Sequence, residues 1–98
     1  MPKNIVITGG NSGIGLETAR GLYGDGHSII IGSRNEQKSL EAIKNIQQSR
    51  PQSTGSIKYF SLDLAKRESV ERFASSVKED FRHLDILINN SGLIRNEK

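Results

Sequence analysis

Thr8-Gly9-Gly10-Asn11-Ser12-Gly13-Ile14-Gly15 stands near the start of a chain of 98 residues. Before it, Ile5, Val6, Ile7 and Thr8 are β-branched, so residues 3–8 read as a strand running straight into glycines. After it, from about Gly13 to Tyr23, Leu16, Ala19, Leu22 and Tyr23 recur at helical spacing until Gly24-Asp25-Gly26 stops the pattern. Phosphate oxygens approach a backbone closely only where side chains are absent, and a helix N-terminus adds free N–H donors and a dipole that favours negative charge. The segment therefore suits a pyrophosphate. The bland alternative is a glycine-rich turn that merely joins strand to helix, and the position after the first strand of an α/β unit weighs against it.

The pattern repeats outward from that loop. Residues 27–32 carry three successive isoleucines, a run that suits a strand covered on both faces. Ser33 and Glu36 read as an S-x-x-E capping box opening a helix with Leu40, Ile43 and Ile46 on one face, closed by Pro51. Residues 57–62 read as a third strand. The next helix places Val70, Phe73, Ala74, Val77 and Phe81 at helical spacing. Residues 84–89 read as a fourth strand. Strands alternating with helices at short connections call for a parallel α/β sheet built from right-handed crossovers. The expected architecture is a three-layer, doubly wound Rossmann-type sheet, partial, with four strands in the order 3-2-1-4 and three helices. The first two helices should cover one face and the third the other.

Composition narrows the function. Residues 1–98 fit one domain, and 34% of them are apolar, concentrated in short blocks such as IVIT and SIII. The net charge of +3 raises the question of a nucleic-acid partner, but basic and acidic residues alternate along the helices, as in KRESVER, and no aromatic residues interleave with a basic patch. With no cysteine in the chain, disulfides and thiolate metal sites are excluded and an intracellular, cytoplasmic location is the simpler expectation. His27 and His83 lie far apart with no carboxylates at ligand spacing, so no metal site is expected. The apolar run at the N-terminus is too short for a signal peptide or a membrane span, and the chain is expected to be soluble, without membrane contact.

The spacing T-G-x-x-x-G-I-G differs from G-x-G-x-x-G and from the G-x-x-x-x-G-K of nucleotide triphosphatases. It is similar to the fingerprint of the short-chain dehydrogenase/reductase family, whose three cofactor-loop glycines match Gly9, Gly13 and Gly15, with Asn11, Ser12 and Ile14 between them. Asp63-Leu64, after the third strand, resembles the family's adenine-flanking pair. Asn89-Asn90-Ser91-Gly92, after the fourth, resembles its N-N-A-G element, with Ser91 in place of alanine. Each match is short, but their order, at the carboxyl ends of successive strands, makes the joint resemblance specific over essentially the whole chain. It implies a cofactor-binding domain, 1–98, incomplete at its C-terminal end.

The cofactor expected is NADP(H), with NAD(H) the weaker alternative. An NAD-binding unit usually ends its second strand in a carboxylate that bonds the ribose 2′-hydroxyl. Here that position is Ser33, followed by Arg34, whose guanidinium can bond a 2′-phosphate bidentately. The resemblance adds that NADP-preferring members often carry arginine there. Glu36 is the one residue that argues for NAD, and the capping box assigns it a structural role. In the family a serine, a later asparagine and a Y-x-x-x-K pair carry out carbonyl reduction, the lysine lowering the tyrosine pKa. No such pair exists here, since Tyr23 and Tyr59 are followed four residues on by His27 and Asp63. No catalytic residue is assigned, and both tyrosines read as packing residues. The chain is thus expected to be the NADP(H)-binding portion of an oxidoreductase acting, in its complete form, on a small carbonyl or alcohol substrate. A homo-oligomer is compatible with that complete protein. The alternatives are a truncated, non-catalytic cofactor-binding or interaction protein and a sugar epimerase relative, the latter disfavoured because its loop usually reads T-G-x-x-G-x-x-G.

Overall fold

Three adjacent isoleucines can all be hidden only in a strand covered on both faces, and Ile29, Ile30 and Ile31 are each fully buried. Each such burial stabilises by about 1.5–3 kcal/mol, more than the roughly 1 kcal/mol spanned by the whole β-propensity scale. Burial therefore decides their place. The computed structural model describes residues 2–9, 11 and 13–90. In it the isoleucines lie in β2 (Ser28–Ser33), paired in parallel with β1 (Asn4–Thr8) on one side and β3 (Ser56–Ser61) on the other. The fourth strand, β4 (Ile86–Asn89), pairs in parallel with the free edge of β1. The order is β3-β2-β1-β4, as expected.

Three helices link the strands: α1 (Gly13–Gly24), α2 (Glu36–Ser49) and α3 (Arg67–Asp80). Ala19 and Tyr23 of α1 and Ile43 and Ile46 of α2 cover one face of the sheet with Ile5, Ile7, Ile29, Ile31 and Ile57. Phe73 and Val77 of α3 cover the other with Val6, Ile30, Leu62 and Phe81. This is the expected two-to-one division of helices. Among the described residues no helix is long and apolar enough to cross a membrane.

The ends of the elements correct several expectations. A left-handed Gly26 (φ 93°) closes α1, its N–H donating to the Tyr23 carbonyl and that of His27 to the Leu22 carbonyl, the paired bonds of a Schellman cap. The start of α2 is not a Ser33–Glu36 capping box. The helix begins at Glu36, and Asn35 is its N-cap, its side chain accepting the Lys38 N–H at 2.9 Å. Ser33 remains in the strand, two residues too early to cap. Leu40 is also not on the buried face, being 50% exposed, and Ser39, Ala42, Ile43 and Ile46 form that face instead. On α3, Val70 and Ala74 are exposed. They border an open apolar groove that also takes in Leu84 and the 61%-exposed Leu87. One helix covers less of this face than two cover of the other.

Residues 84 and 85 precede β4 rather than belonging to it, and Asp85 fixes where the strand begins. Its Oδ2 accepts the Asn4 N–H at 2.8 Å, and its own N–H donates to the Asn4 carbonyl at 2.9 Å. The bond from Asn4 is the largest influence holding the Asp85 carboxyl below its ordinary 3.8; desolvation opposes it, and the charges of His83 and Lys3 assist it. A depressed folded-state pKa contributes stability that is present above the unfolded value and is lost as pH falls through the folded one. Wild type should thus be more stable than Asp85→Asn at neutral pH, with the gap narrowing as pH falls below the ordinary carboxyl value of 3.8. Urea unfolding of both proteins across that range checks this, and a gap independent of pH would refute it.

Candidate nucleotide-binding site

In a parallel sheet of order β3-β2-β1-β4, the helix that follows β1 packs on one face and the helix that leads into β4 on the other, so the strand order reverses between these two strands, and such sheets bind ligands beyond the carboxyl ends at that reversal. Thr8 and Asn89 are register partners at that edge, and the Thr8 hydroxyl donates to Asn89 Oδ1 at 2.9 Å. Beyond them Gly9 turns left-handed (φ 72°) while its N–H stays on the sheet, bonded to the Gly32 carbonyl at 2.8 Å. The Gly9 carbonyl accepts the Asn90 side-chain amide at 3.0 Å, tying the loop after β1 to the residue after β4.

The glycines of the loop do different things. Gly13, the first residue of α1, has φ 59°, and a Cβ placed on it would meet nothing within 4 Å. Its requirement is conformational, and it leaves the helix start bare. Gly15 is buried, and a Cβ there would lie 2.6 Å from the Gly9 carbonyl oxygen and collide with the Asn90 amide nitrogen. Its requirement is space. No acidic residue stands in the first turn of α1, so the positive end of the helix dipole is uncompensated. Ile14 is 80% exposed beside it. The bare backbone, the helix end and the open volume over Gly13 together fit a pyrophosphate.

At the end of β2, Arg34 is exposed, and among the described residues no ion pair or hydrogen bond engages its side chain. Glu36 lies one residue past the Asn35 cap, exposed, as the first residue of α2. Ser33, before Arg34, is drawn into a cluster: the Asn11 side-chain amide donates to both Ser33 Oγ and Ser39 Oγ at 3.1 Å, and those two oxygens lie 2.5 Å apart. The loop after β1 is thereby tied to β2 and α2.

After β3, Asp63 forms a turn in which its Oδ1 accepts the Ala65 N–H at 3.0 Å and its own N–H donates to Ser69 Oγ at 2.7 Å. Leu64 stands about half exposed beside it. The candidate residues Gly9, Asn11, Gly13, Ile14, Gly15, Ser33, Arg34, Asp63, Leu64, Asn89 and Asn90 therefore all follow, or lie at, the carboxyl ends of the four strands. Ser12, Ser91 and Gly92 lie outside the described residues. Tyr23 is buried in the core and the Tyr59 hydroxyl donates to the Ser33 carbonyl at 3.0 Å, so both are packing residues as expected. Sequence reading missed Ser39. Its signal was periodicity: residues 39, 42, 43 and 46 make one helical stripe, whereas Leu40 shares its stripe only with Ile43.

Known proteins are similar to this chain in sequence and fold. The sequence model of the short chain dehydrogenase family matches residues 3–98. A WW domain-containing oxidoreductase of Drosophila melanogaster is 41% identical over 91 residues, which cover 93% of this chain and 22% of that protein. The menthone neomenthol reductase of Mentha piperita superposes with a TM-score of 0.86 at 33% identity, over 95% of this chain and 32% of that one. The L-sorbose reductase of Gluconobacter frateurii, solved in complex with NADPH and L-sorbose, superposes with a TM-score of 0.81 at 33% identity, over 99% of this chain and 36% of that one. The chain thus spans between a fifth and two-fifths of the length of these proteins.

The crowding at Gly15 predicts opposite outcomes for two alanine substitutions in one helix. Gly15→Ala should destabilise by about 1–3 kcal/mol, because the new methyl meets a backbone carbonyl that cannot turn aside. Gly21→Ala, with nothing within 4 Å of the new carbon, should stabilise by about 0.5–1 kcal/mol. Urea unfolding midpoints report both signs.

Proposed function

Because this chain belongs to the short chain dehydrogenase family, we propose that it binds NADP(H) as the cofactor-binding portion of a carbonyl/alcohol oxidoreductase. The observation that carries the choice of cofactor is Arg34, exposed and without a partner among the described residues, at the end of β2, where an NAD-binding unit would place a carboxylate. Glu36 does not supply that carboxylate, since it sits inside α2, past the cap. The NADPH held by the L-sorbose reductase neighbour supports the same reading.

In this proposal Gly9, Asn11, Ser12, Gly13, Ile14 and Gly15 receive the pyrophosphate side of the cofactor on bare backbone and helix dipole. Arg34 and Ser33 bond the 2′-phosphate. Asp63 and Leu64 flank the adenine, and Asn89, Asn90, Ser91 and Gly92 contact the cofactor from the β4 side. NADPH, when bound, supplies a hydride for a carbonyl carbon. The acid that would protonate the carbonyl oxygen is not among the 98 residues, which hold no Y-x-x-x-K pair. That same observation favours a second reading of the segment taken alone, as a cofactor-binding or interaction module without catalysis. A cytoplasmic location is proposed on the cysteine-free composition.

Calorimetric titration with NADP⁺ and NAD⁺ tests the proposal. Wild type should prefer NADP⁺, and Arg34→Asp should weaken NADP⁺ by about 10- to 100-fold, the worth of a charge-assisted bond, while favouring NAD⁺. Equal affinities in wild type would count against the assignment. The glycine loop gives an independent check. Gly13→Val should abolish binding of both cofactors, since a branched residue is strained at φ 59° and its side chain fills the phosphate's approach. Retained affinity in a folded Gly13→Val protein would remove the loop from the site.

A further inference from the structure

A buried hydroxyl must find its hydrogen-bonding partners within the protein. Ser39, on the buried face of α2, is fully buried, and no other hydrogen-bond partner engages its hydroxyl among the described residues than Ser33 Oγ and the Asn11 amide. The amide is a donor, so the Ser39 hydrogen has one acceptor, Ser33 Oγ. Ser33 Oγ then accepts from both Ser39 and Asn11, which fills its lone pairs. Among the described residues its own hydrogen is held only by the Asn35 carbonyl at 3.4 Å, well beyond the roughly 2.7–2.8 Å usual for O–H···O bonds.

We propose that Ser39 is a positioning residue for cofactor discrimination. By donating to Ser33 it pins that side chain in one rotamer and leaves the Ser33 hydrogen available to the 2′-phosphate that Arg34 would bond. The inference rests on the NADP(H) reading given above. It bears on the phosphate in particular because of what each ligand can offer. A ribose 2′-hydroxyl both donates and accepts, so it tolerates Ser33 in either sense, whereas an ionised phosphate only accepts and needs a donor held toward it. A hydroxyl that already accepts two hydrogen bonds is also the stronger donor.

The readout is the ratio of NAD⁺ to NADP⁺ dissociation constants, measured by calorimetry on the folded protein. Ser33→Ala and Ser39→Ala should each lower that ratio by about three- to tenfold, and Ser39→Ala made in the Ser33→Ala background should lower it no further. Ser39→Cys, close in size but a weak donor, should shift the ratio in the same direction while keeping the core filled, which separates the hydrogen bond from a packing defect. A residue that only supports the fold would weaken both cofactors alike and leave the ratio unchanged. That result, or losses that simply add in the double variant, overturns the inference while leaving the NADP(H) reading intact. A wild-type protein with no preference for NADP⁺ overturns the reading itself, and the inference with it.

Discussion

Asn90 can donate its amide to the Gly9 carbonyl only because nothing larger than a hydrogen stands on the Cα of Gly15. Three elements meet at that point: the turn that leaves β1, the first turn of α1 and the residue that follows β4. A methyl group would come within 2.6 Å of the Gly9 oxygen, and the only relief would be to move the helix off the strand. The close approach brings the start of α1 beside Asn90, the residue that follows β4. Contact between backbones, with side chains excluded, is what makes this corner of the molecule suitable for a phosphate.

The sheet that supports this corner is asymmetric. On one side, α1 and α2 together bury alternate isoleucines of three strands. On the other, α3 alone packs against Val6, Ile30 and Leu62, and the apolar residues of β4 remain largely exposed. The best-buried strands are β1 and β2, whose carboxyl ends carry the glycine loop and Arg34. Both halves of the proposed cofactor site, pyrophosphate and 2′-phosphate, therefore rest on the best-buried strands of the sheet, a support that suits precise ligand placement.

Polar contacts then tie the two halves to each other. Asn11 stands in the glycine loop, Ser33 ends β2 and Ser39 lies in α2, yet their side chains form one cluster. Asn35, by capping α2, leaves Ser33 to that cluster and Arg34 to solvent. The division of labour among four neighbouring residues, Ser33 to Glu36, is thus one of strand end, exposed cation, cap and first helical residue.

Much of this was legible from residue type and spacing. Strand order, the division of helices between faces, the glycine loop and the exposed arginine follow from local chemistry: β-branched runs form strands, glycine admits positive φ, and hydrophobic periods of two and 3.6 mark the faces. Where two local patterns competed, the sequence alone did not choose. Ser33 and Asn35 are both good caps, and the sheet decided between them by keeping Ser33 paired through β2 to Ser61. Leu40 is more apolar than Ser39, but the angle at which α2 meets the sheet buried the serine, because Ala42, Ile43 and Ile46 together outweigh one leucine. The pairing of Asn90 with Gly9, 81 residues apart, and of Asn11 with Ser33 and Ser39 belongs wholly to the tertiary structure. Such bonds depend on where distant backbones come to lie, and no local propensity encodes that distance.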